Sequence, residues 1–202
     1  MNINQIENIL REFYEENKDI VDFIFIGGSK CLSYIQNPND IDVFVVFKTL
    51  QNPKARFGKI HQLSAEIKKI YENVSVLPQF KETFNYWLDE SNYDEEHPTK
   101  MRFPIYVYMA RDFQIVCGSD SVGIKNYDVL EHKTRYISAL KAAAETFNYT
   151  FYRLLIGLYI IKNNSYELTQ EQIANVNVAH DRQDEDKILE LYNWAKSEIQ
   201  KL

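Results

Sequence analysis

Residues 25–46 read FIGGSKCLSYIQNPNDIDVFVV, and the fold turns on how this stretch divides. It opens as the tail of an apolar run, Val21-Asp22-Phe23-Ile24-Phe25-Ile26, which stops at Gly27-Gly28-Ser29. A short apolar run ended by glycines reads as a buried strand entering a tight turn. Lys30 to about Tyr34 can then form a short helix, broken by Asn37-Pro38-Asn39. Residues Asp40 to Phe47 (DIDVFVVF), rich in β-branched and aromatic side chains, make the second strand.

Working outward, Ile3, Ile6, Ile9, Leu10 and Phe13 recur at helical spacing and predict an amphipathic helix before the first strand. A helix with Ile60, Leu63, Ile67, Ile70 and Tyr71 on one face follows the second strand, and Val74-Ser75-Val76-Leu77 is a third strand ahead of Pro78. Phe80, Phe84, Tyr86, Trp87 and Leu88 suggest a short helix, and residues 91–100 (SNYDEEHPTK) an exposed loop. Pro104 to Met109 reads as a further strand, and Phe113 to Gly118 as a short apolar segment halted by glycine. From about Tyr127 the pattern is helical: Val129 to Tyr149, Tyr152 to Lys162, and a last amphipathic helix carrying Ile188, Leu189, Leu191, Tyr192, Trp194, Ala195 and Ile199. The expected organisation is an α/β part over residues 1–122 and a helical part over 123–202.

Composition narrows the function classes. The 202 residues are 45% hydrophobic, enough for a real core, and 14 Tyr with 12 Phe argue against disorder. Twenty-nine acids against 23 bases leave a charge of -6, which disfavours a duplex-DNA coat. An acidic chain can still take a phosphate substrate through divalent cations. Cys31 and Cys117 stand alone, without a CxxC, so neither a zinc site nor a disulfide framework is signalled. The start of the chain carries Glu7, Glu12, Glu15 and Glu16 where a secretory leader needs an apolar run, and Leu154–Ile161 falls far short of the roughly 20 residues that span a bilayer. A reduced, cytoplasmic protein with no membrane contact is the expectation.

The chemistry is concentrated in the opening stretch. Gly28 lets a phosphate approach the main chain, the Ser29 hydroxyl can donate to it, Lys30 adds a positive charge, and a helix start would present free N–H groups. The period of a strand puts Asp40 and Asp42 on one face, with Ile41 turned into the core. Two adjacent carboxylates repel one another unless a hard cation joins them, and Mg²⁺ is commonly held by one or two carboxylates plus substrate phosphates.

This pattern resembles the nucleotidyltransferase superfamily typified by DNA polymerase β: an apolar strand, Gly-Ser, about ten residues, then Asp-x-Asp entering an apolar strand. Gly28 and Ser29 match the first element, and Lys30 to Asn39 is the spacing of the minimal and antibiotic nucleotidyltransferases. Asn39 stands where those proteins often have Ser. The resemblance is firm over residues 23–47 and architectural elsewhere. It implies an α+β fold, with a nucleotidyltransferase-like mixed sheet flanked by helices and a C-terminal helical bundle. It also implies transfer of a nucleoside monophosphate from an NTP to a hydroxyl on a small molecule or macromolecule. Asp40 and Asp42 would be the catalytic metal ligands for Mg²⁺, or Mn²⁺ in its place, and Gly28, Ser29 and Lys30 would bind nucleotide. One departure matters. The family places a third carboxylate on the strand after the next helix, where this chain has Ser75, and Glu72, Glu82, Asp112 and Asp120 lack the same apolar bracketing. A catalytically silent nucleotide- or partner-binding relative is therefore the alternative.

Other residues carry weaker signals. His61, His97, His132 and His180 lack ligand spacing. Lys54 and Arg56 follow the second strand and either reach phosphates or sit in a solvated loop. Tyr106 and Tyr108, and Tyr149, Tyr152 and Tyr159, read first as packing residues.

Overall fold

The computed structural model describes residues 3–38, 40–89, 111–145 and 151–202. It divides into two compact units, of which the first contains residues 3–33, 38, 40–89 and 111–126. Its strands are β1 (Val21–Gly27), β2 (Ile41–Phe47), β3 (Val74–Phe80) and β4 (Gln114–Gly118), arranged β3-β2-β1-β4. The sheet is mixed: β1 runs antiparallel to β2 and β4, while β3 lies parallel to β2. A parallel pair needs a crossover, and helix α2 (Pro53–Lys68) supplies it.

Alternation along the strands builds two faces. Ile24, Ile26, Ile41, Val43, Val45 and Phe47 point to a core shared with Ile6 and Leu10 of α1 (Ile3–Asn17) and with Ile60, Leu63 and Ile67 of α2. The opposite face carries an aromatic ladder. Phe23 stacks on Phe25 at 5.7 Å, and Phe25 on Phe44 at 4.7 Å with ring planes 10° apart. Phe113 closes on Phe25 at 4.6 Å. Helix α3 (Lys81–Leu88) follows β3 directly. The strand expected over Pro104–Met109, the loop over 91–100 and the last residues of the helix expected up to Tyr149 lie outside the described residues.

The second unit contains residues 34–37, 127–145 and 151–202. It holds α4 (Lys133–Ala144), α5 (Phe151–Asn163), α6 (Gln170–Asp181) and α7 (Glu185–Gln200). Helix α5 is apolar almost all round and forms the centre, with Leu155, Ile156 and Leu158 fully enclosed. Gly157 lets α4 approach closely: a Cβ there would stand 3.0 Å from Leu140 Cδ2 and press on the Tyr136 hydroxyl. Helix α6 starts on a capping box in which Thr169 accepts from the Gln172 amide at 3.3 Å and Gln172 accepts from the Thr169 amide at 2.9 Å. Among the described residues no helix is long and apolar enough to cross a membrane.

Glu198 of α7 is tied by Lys162 of α5 and by Lys201, and their hydrogen bonds lower its carboxyl from 4.5 to about 2. A depressed carboxyl adds stability that is present above its unfolded pKa and lost as the pH falls through the folded value. The thermal stability gap between the wild type and Glu198→Gln is expected to be constant above about pH 5 and to close between about pH 4.5 and 2. Both lysines are exposed, so the gap is small. Melting curves across that range check it; a gap that persists at pH 2 refutes the assignment.

Candidate functional site

Strand β1 ends at Gly27, whose register partner on β2 is Asp42. Gly28 then takes φ 76° and ψ -164°, a region that residues with a side chain essentially avoid. The reason is steric as well as conformational. A Cβ on Gly28 would fall on the Asp42 Oδ2 and stand 2.9 Å from its Cγ, so the carboxylate occupies the space that a side chain would fill. Asp42 is only 8% exposed. Ile41 points into the core, as the alternation requires, and Asp40 stands half-buried immediately before the strand. Ser29 is buried and Lys30 exposed. The structure thus brings Gly28 and Asp42 into direct contact, with Ser29 and Asp40 one and two residues away along the chain.

The segment after Gly28 differs from the expected helix over Lys30–Tyr34. Only one 3-10 turn forms, Ser29–Cys31, closed by Cys31 N–H to the Gly28 carbonyl at 3.2 Å and Leu32 N–H to the Ser29 carbonyl at 3.1 Å. Such a turn has no axis of aligned peptides long enough to build a macrodipole. An anion at this point would meet local amides and the Lys30 charge rather than a helix dipole. Cys31 donates its thiol to the Ile26 carbonyl at 3.3 Å. Burial pushes the thiol above its ordinary 9.0, and the Asp112 and Asp42 charges add to the rise, so it stays protonated at neutral pH.

The register of the parallel pair fixes the neighbour of Asp42 on β3: it is Ser75. Adjacent strands lie about 4.8 Å apart, so a carboxylate at position 75 would stand next to Asp42, where this chain has a hydroxyl. Glu82 and Asp120 lie toward the other end of the sheet, after Phe80 and Gly118, and each has partners there. Glu82 accepts from the Leu50 amide at 3.1 Å, and Asp120 accepts from the amides of Gly123, Ile124 and Lys125. Asp112 precedes β4, whose Gln114 pairs with Ile26, and so lies at the Gly27 end of the sheet. Desolvation raises its carboxyl against the pull of Arg111 and Lys125. No group of three or more His, Cys, Asp or Glu arranged to hold a metal occurs among the described residues. Asp40 and Asp42 offer carboxylate oxygens, the donor type that hard cations take.

The remaining candidates separate cleanly. Arg56 is buried, donates to the Thr49 carbonyl and hydroxyl, and lies 5.2 Å over the Phe47 ring, so it braces the end of β2. Lys54 is exposed. His132 stacks on Tyr127 at 4.6 Å, and the buried His180 sets Nδ1 3.1 Å from Asp181 Oδ1 and meets the Tyr152 ring in a T-shaped contact at 4.9 Å. Tyr152 and Tyr159 are buried in α5. His97, Tyr106, Tyr108 and Tyr149 lie outside the described residues.

One group carried no signal in the sequence. Within the second unit, Asn177 of α6 accepts from the Gln36 amide at 2.9 Å and donates to the Tyr34 carbonyl at 2.9 Å, and Asn37 donates to Asp181 at 3.2 Å. These partners lie 141 to 144 residues apart, beyond any local pattern. No family model, curated protein or solved structure matches the chain.

Proposed function

We propose that the chain is a nucleotidyltransferase that moves a nucleoside monophosphate from an NTP to a hydroxyl acceptor. The observation that carries this reading is the contact of Asp42 with Gly28, a residue held in a glycine-only conformation, at the point where β1 and β2 meet. A glycine in this conformation leaves the main chain open to close approach by a ligand. In this reading Asp40 and Asp42 hold Mg²⁺, or Mn²⁺ in its place, which would neutralise charge on the triphosphate and on the entering oxygen. Gly28 and Ser29 present main chain and hydroxyl to the phosphates, and Lys30 adds charge from the exposed side. The acceptor oxygen forms the new bond to the α-phosphorus as the α–β bridging bond breaks and pyrophosphate leaves. The acceptor proton passes to a carboxylate of the site or to water.

The double variant Asp40→Asn/Asp42→Asn is expected to lower Mg²⁺-dependent ATP or GTP affinity at least about a hundredfold in calorimetry. Retained binding would overturn the site. A second reading, a silent relative that binds nucleotide without transferring it, is favoured by Ser75 beside Asp42. Labelled NTPs with Mg²⁺ or Mn²⁺ and mixed hydroxyl acceptors separate the two: pyrophosphate release or a labelled product supports transfer, and binding without either supports silence.

A further inference from the structure

A cavity of about 630 Å³ opens between α5, α6 and α7, wholly within the second unit. Pockets that take small ligands run from roughly 300 to 1,000 Å³. Tyr159, 4% exposed, lines its buried side. The Tyr159 oxygen accepts from Asn175 Nδ2 at 3.2 Å, which leaves the phenol O–H and the Asn175 Oδ1 without a partner among the described residues. Burial pushes the hydroxyl above its ordinary 10.0, against the pull of the Asn175 hydrogen bond, so it keeps its proton and can donate. The rim carries Lys187 and Glu190 of α7 and Glu171 of α6, all exposed. Lys187 and Glu190 are three residues apart, a spacing at which opposite charges on a helix commonly pair. Among the described residues neither has an ion-pair partner, and nor has Glu171. The other polar walls are already satisfied: Asn163 and Gln172 exchange two hydrogen bonds, and Glu198 holds Lys162. Trp194 is not an open stacking platform, because Lys162 lies 5.5 Å over its ring and Tyr159 meets it at 5.7 Å.

We infer that this cavity binds a small zwitterion that carries an amide, of the size of a dipeptide or of glutamine. The ligand carboxylate accepts from Lys187, and its ammonium donates to Glu190 and Glu171. Its amide carbonyl accepts the Tyr159 O–H, and its amide N–H donates to the Asn175 Oδ1. Every open group of the cavity then has a complement. A nucleotide or other polyanion would set its charge against both glutamates, and a plain cation would face Lys187.

Calorimetry on the full chain, titrated with L-glutamine and with L-alanyl-L-alanine, tests the site, with n-butylammonium and propionate as single-charge controls. At least one zwitterion is expected to bind with a dissociation constant below about 1 mM. That ligand should move the Trp194 indole N–H signal, identified as the one that Trp194→Phe removes. Neither control should bind within about tenfold of it. Lys187→Gln is expected to weaken the binding about tenfold or more, and Tyr159→Phe, which deletes only the O–H, about fivefold. Binding of glutamine alone assigns a side-chain amide, and binding of the dipeptide alone a peptide bond. No binding by either zwitterion overturns the inference, as does a control that binds equally well or full affinity in Lys187→Gln. Should Tyr159→Phe fail to fold, the exposed Lys187→Gln change decides.

Discussion

Gly28→Ala is expected to destabilise the protein by about 2–5 kcal/mol and to remove nucleotide binding in whatever fraction still folds. The conformation of Gly28 costs an alanine roughly 1–3 kcal/mol in backbone strain. The new methyl also collides with the Asp42 carboxylate, and forcing extra volume into a filled space costs about 1–3 kcal/mol more. Relief by rotating Asp42 away swings a charged group out of its place at the head of β2. Relief by moving the backbone shifts the first residue of the Ser29–Cys31 turn. Either way the site is lost. Urea unfolding and Mg·ATP calorimetry check the two effects separately, and a Gly28→Ala protein of wild-type stability would show that this contact is dispensable.

Ser75→Asp tests the site from the other side. Ser75 is half-buried and faces Asp42 across the parallel pair, so the substitution puts a third carboxylate next to it. Without a cation, two neighbouring carboxylates repel, and the melting temperature should fall as the pH rises through the raised carboxyl pKa. With Mg²⁺ and NTP the loss should be recovered, because a ligand that binds only the folded state stabilises it. If transfer is limited by the lack of a general base, the rate should rise by about a hundredfold to ten-thousandfold. A variant with neither Mg²⁺-dependent stability nor added activity would mean that Asp42 and position 75 do not share a cation.

How much of this was legible in the sequence depended on the range of the interaction involved. Strands β1 and β2 follow from their apolar runs and are buried nearly throughout, while β3 runs past Pro78 to Phe80, and of the face expected on α2 Ile60, Leu63 and Ile67 are buried but Ile70 and Tyr71 lie beyond its end, Ile70 exposed. Helix α6 went unread, although Thr169-x-x-Gln172 is a capping-box signature, because its face mixes Asn175 and Asn177 with Val176 and Ala179. The helix expected over Lys30–Tyr34 contracts to one turn: Leu32 and Ile35 are drawn inward and Tyr34–Asn37 is bonded to α6, so tertiary contacts override a weak local preference. Within the candidate site, the Asp-x-Asp and Gly-Ser residues were readable from type and spacing. The glycine-only conformation of Gly28 belongs to geometry and was not, whereas Ser75 was singled out through the resemblance and the register sets it beside Asp42.

The bond between Tyr34 and Asn177 spans 143 residues of chain, which has a consequence for the order of events during synthesis. Strands β1 and β2 leave the ribosome early and can pair at once. The stretch Tyr34–Asn37 cannot make these bonds until α6 has emerged. Closing so long a loop is a late and entropically costly step. Chains that stop before Asn177 carry all four described strands of the sheet yet lack the α6 side chains that bind Tyr34, Gln36 and Asn37.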